Sequence, residues 1–123
     1  MSCQVLIVED DREYQGFLAR VLSESGYDVV TRSSGAEGLL FLEAQLPDIL
    51  ITDIVMPDID GLDLIRKARE RYAELKILAI SGGGLIQADR YLDAARKMKA
   101  DAILKKPFIA KVLLKKLAEL MEE

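Results

Sequence analysis

Asp48-Ile49-Leu50-Ile51-Thr52-Asp53 sets three consecutive apolar residues between two carboxylates. A run this short, rich in β-branched residues, suits a strand covered on both faces and is too short for a helix. Comparable runs lie on either side of it: Val5-Leu6-Ile7-Val8 before, Lys76-Ile77-Leu78-Ala79-Ile80 and Asp101-Ala102-Ile103-Leu104-Lys105 after. Tyr27-Asp28-Val29-Val30-Thr31 alternates less cleanly and fits a strand nearer the sheet edge.

The stretches between these strands change period. From Asp11, apolar residues recur at Tyr14, Phe17, Leu18, Val21 and Leu22, which is helical spacing, and Gly26 supplies the stop. Ser34 and Glu37 have capping-box spacing ahead of Leu39-Leu40-Phe41-Leu42, in a second helix that ends before Pro47. Asp60 is placed to cap a third helix starting near Gly61, with Leu62, Ile65, Ala68 and Tyr72 inward. A fourth is expected from about Leu85 to Lys99, and a fifth over roughly Ile109 to Met121, with Val112, Leu113, Leu117 and Leu120 at helical spacing. Five strands alternating with five helices imply parallel strands and right-handed crossovers, with helices on both faces. The α/β solution is a flavodoxin-like, doubly wound sheet of order 2-1-3-4-5.

Composition bounds the function. The 123 residues make one domain, residues 1–123, and contain no histidine, which excludes a His-based catalyst, a His-ligated metal and a phosphohistidine carrier. Cys3 can form no internal disulfide and suits a reducing cytoplasm. No apolar run is long enough to span a membrane, and Met1-Ser2-Cys3-Gln4 lacks a basic n-region, so neither a membrane segment nor a signal peptide is expected. The net charge of −4 is uneven: residues 1–84 carry 15 acids and 8 bases, residues 85–123 carry 6 acids and 9 bases. The acidic part suits a metal pocket. The mildly basic part suits an acidic partner or, more commonly, a solvated face, and direct nucleic-acid binding would need a denser patch.

Chemistry gathers after the strands, where open α/β sheets hold their ligands. Glu9, Asp10 and Asp11 follow the first strand, Asp53 ends the third, Ser81 follows the fourth and Lys106-Pro107 the fifth. Carboxylates brought together repel unless a cation sits among them, and hard oxygen ligands suit Mg²⁺. Asp11 fits a helix cap better than a ligand; Glu9 and Asp10 fit the metal, because Asp53 arrives at the same edge. Asp53 can act as a nucleophile forming an acyl phosphate, with Lys106 as a mobile ammonium for phosphate oxygens. Ser81 fits equally a donor to a phosphoryl oxygen or a turn residue. Neither G-x-x-x-x-G-K-[ST] nor G-x-G-x-x-G occurs.

Four motifs in this order, V-E-D-D from Val8, D-I-V-M-P-D-I-D-G from Asp53, A-I-S-G from Ala79 and K-K-P-F from Lys105, resemble the receiver domain of two-component response regulators over essentially the whole chain. The resemblance implies a CheY-like fold. It implies Asp53 as the phosphoacceptor, giving a 4-aspartylphosphate, and Glu9 and Asp10 as the acidic pair, with Asp10 the direct metal ligand. It further implies the Val55 carbonyl as another ligand, Ser81 as the switch hydroxyl, Lys106 as the phosphate-pairing lysine, and a cis bond at Lys106-Pro107. The implied cofactor is Mg²⁺. The implied phosphodonor is a histidine kinase or phosphotransfer protein, and the output is binding to a downstream protein.

Two departures stand out. Ile103 occupies the position of the family's switch aromatic, and the stretch from Ser81 to Lys106 is a few residues longer than usual, with Gly83-Gly84 in the added part. Two rivals remain: a receiver-like binding module independent of phosphorylation, which Ile103 favours, and a Mg²⁺-dependent phosphohydrolase, which would want an acid where Val55 stands. Leu114 and Met121 are candidates for a homodimer seam, against the commoner case of a slightly apolar helix. With the chain ending at its last helix, a stand-alone regulator or a piece of a larger one is expected.

Overall fold

The computed structural model describes residues 3–56, 61–82, 93–94 and 99–122. The elements are β1 (Gln4–Val8), α1 (Arg12–Glu24), β2 (Asp28–Arg32), α2 (Gly35–Ala44), β3 (Ile49–Asp53), α3 (Gly61–Arg71), β4 (Lys76–Ser81), β5 (Ala102–Lys105) and α4 (Ala110–Glu122). All five strands form one parallel sheet of order β2-β1-β3-β4-β5, as the alternation predicts. Four helices have bounds among the described residues, and Asp93 and Ala94 are helical as well. The expected helix over 85–99 falls outside the described residues except at Asp93, Ala94 and Lys99, as do Asp60 and Gly83-Gly84.

The strands look uniformly apolar because each side of the sheet has its own core layer. Leu6, Val8, Leu50, Ile77 and Ala79 pack with Leu42 of α2 and Leu64, Ile65 and Ala68 of α3. Val5, Ile7, Ile49, Ile51, Leu78 and Ile80 pack with Leu18 and Leu22 of α1 and with Leu113, Leu117 and Leu120 of α4. Successive strand residues thus face opposite layers, the period-two alternation of a pleated strand.

Helix starts follow the sequence signals. Asp11 caps α1, its carboxylate accepting from the N–H groups of Glu13 (3.0 Å) and Tyr14 (3.3 Å). Ser34 accepts from the Glu37 N–H at 3.2 Å, while the Glu37 carboxylate reaches Ser33 rather than the cap itself. Gly26 takes the left-handed φ of 93° that ends α1. Val112, which shares helical spacing with Leu113, Leu117 and Leu120, is exposed, whereas Leu114 packs against the core.

The sheet ladder runs one residue beyond three strands. Glu9 N–H donates to Arg32 O (3.1 Å), Ile54 N–H to Ile80 O (3.1 Å) and Lys106 N–H to Ser81 O (2.8 Å). These bonds fix the backbone where the chemistry-bearing side chains emerge.

Candidate functional site

Glu9, Asp10 and Asp53 each bring a carboxylate oxygen to within 4.8 Å of the others. Glu9 is fully buried, Asp53 is 6% exposed, and Asp10 faces solvent. Lys106 crosses from the end of β5 and donates from Nζ to Glu9 Oε1 (2.5 Å) and to Asp53 Oδ2 (2.9 Å). Its side chain is only 12% exposed. The peptide bond between Lys106 and Pro107 is cis.

One ammonium does not balance three carboxylates. Burial pushes the Glu9 carboxyl up to about 8, and the neighbouring Asp53 carboxylate adds to the rise, against the opposing pull of Lys106. For Lys106, burial favours the neutral amine. Its hydrogen bonds to Glu9 and Asp53, with their charges, outweigh burial and hold the ammonium above its ordinary range. Without a second cation, the pocket therefore disfavours the ionised form of Glu9. Its Oε2 is buried with no hydrogen-bond partner among the described residues. An all-oxygen donor set short of positive charge, with one buried acceptor unused, fits a hard divalent cation such as Mg²⁺.

Ser81 closes β4 and is fully buried; its Oγ likewise has no partner among the described residues. Its carbonyl receives the Lys106 N–H, so hydroxyl and lysine share one strand pair. The Val55 N–H donates to Asp53 Oδ1 at 2.9 Å, and Val55 itself is 46% exposed. Asp11 belongs to the helix, as its spacing indicates.

Residues other than the acids, the hydroxyl and the lysine hold this arrangement. Gln15 donates from Nε2 to Glu9 O (3.0 Å), Arg32 O (3.1 Å) and Ser33 Oγ (3.2 Å), tying the acidic loop to the end of β2. Gly61 starts α3 so close to β3 that a Cβ would lie 2.2 Å from Asp53 O and 2.4 Å from Ile54 Cα. The ring centroid of Tyr14 lies 4.3 Å from Lys106 Nζ. A glycine after the D-I-V-M-P-D-I-D run and an aromatic in the first helical turn after E-D-D were the available signals. Each also has an ordinary structural reading.

A doubly wound sheet with an acidic pocket and a paired lysine at its carboxyl edge defines a class, and the comparison with known families agrees. The chain belongs to the response regulator receiver domain family, whose pattern matches residues 5–118. It is similar to the response regulator receiver protein CpdR of Brucella abortus, 34% identical over 96% of both chains. It is also similar to the response regulator MprA of Mycobacterium tuberculosis H37Rv, 36% identical over 98% of this chain but only 51% of that protein. A response-regulator crystal structure from Chloroflexus aurantiacus superposes with a TM-score of 0.90 at 32% identity, covering 100% of both chains. Phosphoacceptor function is typical of this family, its members bind Mg²⁺ in general, and they interact with histidine kinases and downstream effector domains. No helix among the described residues is long and apolar enough to cross a membrane.

Proposed function

We propose that Asp53 accepts a phosphoryl group from a phosphohistidine on a partner histidine kinase or phosphotransfer protein, and that the acyl phosphate switches a protein-binding surface. The observation that carries this reading is the convergence of the Glu9, Asp10 and Asp53 carboxylates, with the Lys106 ammonium bonded to Asp53 and Glu9. An oxygen of the Asp53 carboxylate attacks phosphorus in line, the phosphorus–nitrogen bond breaks, and the imidazole leaves with its electron pair and takes up a proton. Asp10, Asp53 and the Val55 carbonyl would hold Mg²⁺, with Glu9 completing the acidic set. When bound, the ion would supply positive charge that screens the carboxylate from the incoming phosphoryl group.

Lys106 follows the new charge from the Asp53 carboxylate to a phosphoryl oxygen, and the unpartnered Ser81 hydroxyl supplies a donor to another. Contacts made only in the phosphorylated state provide the energy of switching. Ile103 is partly buried against the core layer of α2 and α3, which supports a switch carried by Ser81 and Lys106 without a swinging ring. In this reading residues 1–123 are a single cytoplasmic receiver domain that promotes its own phosphorylation and dephosphorylation but turns over no separate substrate. Its output is a downstream protein, without direct binding to nucleic acid or membrane. Exposed Met121 leaves a homodimer within reach.

The test is the intact mass of the chain after incubation with Mg²⁺ and acetyl phosphate, beside Asp53→Asn. One phosphoryl group on the native chain, absent from the variant and absent without Mg²⁺, is the expected result. A chain that stays unmodified, and also ignores a beryllofluoride mimic, would instead be a receiver-like module that works without phosphorylation.

A further inference from the structure

We propose that Tyr14 positions Lys106, its ring face holding the ammonium where it reaches Asp53, and that this contact helps set the rate of phosphoryl uptake. The inference rests on the roles proposed above for Asp53 and Lys106. Lys106 Nζ sits 4.3 Å from the Tyr14 ring centroid while donating to Glu9 and Asp53. An ammonium has three donors, and two are spent on carboxylates. The negative face of the ring attracts what remains of its charge, more strongly here than on an open surface because the lysine is mostly withdrawn from water.

The ring is itself fixed from two directions. The Asp11 cap binds the Tyr14 N–H and so anchors the residue in the first turn of α1. Phe17 and Phe108 meet the ring edge-on, with centroids 5.5 and 5.6 Å away. Phe108 lies two residues beyond Lys106, so the segment carrying the lysine is packed against the ring its ammonium touches. The lysine stem also lies against Gly82, where a Cβ would come within 2.7 Å of Lys106 Cδ. A lysine stem is otherwise flexible, and its ammonium is a point charge with no preferred plane. Removing the ring face leaves it free to settle on the fully buried Glu9 at the expense of Asp53.

A ring that only fills space would depend on shape alone; a ring that holds the ammonium depends on its electron density. The experiment measures the initial rate of phosphoryl uptake by the full chain from acetyl phosphate at saturating Mg²⁺. Tyr14→Phe is expected to keep the rate within about twofold, and Tyr14→Leu to lower it by about three- to tenfold, the range of an ordinary cation–π contact. Phenylalanines of increasing fluorine content at position 14 keep the shape while draining the ring face, and the rate should fall with each fluorine. In a Lys106→Met background, Tyr14→Leu should cause no further loss. Equal rates across the fluorinated series, or the same loss with and without Lys106, would overturn the proposal, and the fluorinated series alone decides if Tyr14→Leu does not fold. An unmodified native chain, or a phosphorylated Asp53→Asn, would instead remove the assignment of Asp53, and this inference with it.

Discussion

Glu9 carries the conflict of the site in one side chain. It is fully buried, faces the Asp53 carboxylate, and has one oxygen on Lys106 and the other without a partner among the described residues. Burial first, and Asp53 next, lift its carboxyl from 4.5 to about 8. Because the folded value lies above the unfolded one, the folded chain binds the extra proton. The associated stability is complete below about 4.5 and is lost as pH rises through about 8. Metal-free protein should therefore unfold more easily at pH 8 than at pH 5, and Glu9→Gln, which cannot ionise, should show a flatter profile. Thermal melts of both proteins across that range check this; parallel profiles would mean that Glu9 ionises normally. The charge conflict was legible in the sequence, since E-D-D and Asp53 had to meet at one sheet edge. That Lys106 would answer Glu9 as well as Asp53 was not, because a partner 97 residues away is set by strand order rather than by local pattern.

At the scale of elements, β3 and α3 approach so closely at Asp53 that glycine is required where the helix begins. A Cβ at Gly61 would meet backbone atoms at 2.2 and 2.4 Å, and backbone cannot rotate away as a side chain can. Gly61→Ala must shift the start of α3 off the Asp53 carbonyl, costing about 1–3 kcal/mol as overpacking does. It should also disturb phosphoryl uptake, since the displaced carbonyl belongs to the acceptor residue itself. Gly16 is the internal control: it lies within α1 with nothing inside 4 Å of its would-be Cβ. Gly16→Ala should gain about 0.5–1 kcal/mol from helix propensity. Urea unfolding of the two variants separates the cases, and a stable, active Gly61→Ala would show that the start of α3 yields freely. Gly61 closes the D-I-V-M-P-D-I-D-G motif and Gly16 lies in an ordinary helical run, but only packing shows that the first has no room for a side chain. Helix ends were easier to anticipate, because Asp11 and Ser34 cap their own neighbours. The inward face of α4 was less so: Val112 adjoins Leu113 in sequence, yet only Leu113 reaches the core.

For the whole molecule, the site exists only when β1, β3, β4 and β5 are all in register, because each strand delivers one part of it. The order β2-β1-β3-β4-β5 was legible, since continuous apolar runs alternating with helical periods leave few right-handed topologies. The same sheet that buries two apolar layers also forces carboxylates together, and the folded state bears that repulsion while the unfolded chain does not. A cation bound among Glu9, Asp10 and Asp53 therefore stabilises the entire fold by mass action, by about 2.7 kcal/mol at a hundredfold excess over its dissociation constant. For a domain of 123 residues this should raise the unfolding midpoint by about 10 °C. Scanning calorimetry with and without Mg²⁺ measures the shift, and Asp10→Asn supplies the contrast. Asp10 is the one exposed member of the acidic set, so its loss should spare the core while removing most of the Mg²⁺ response. An equal rise in the variant would place the ion elsewhere. A native midpoint indifferent to Mg²⁺ would mean that the pocket needs no cation beyond Lys106.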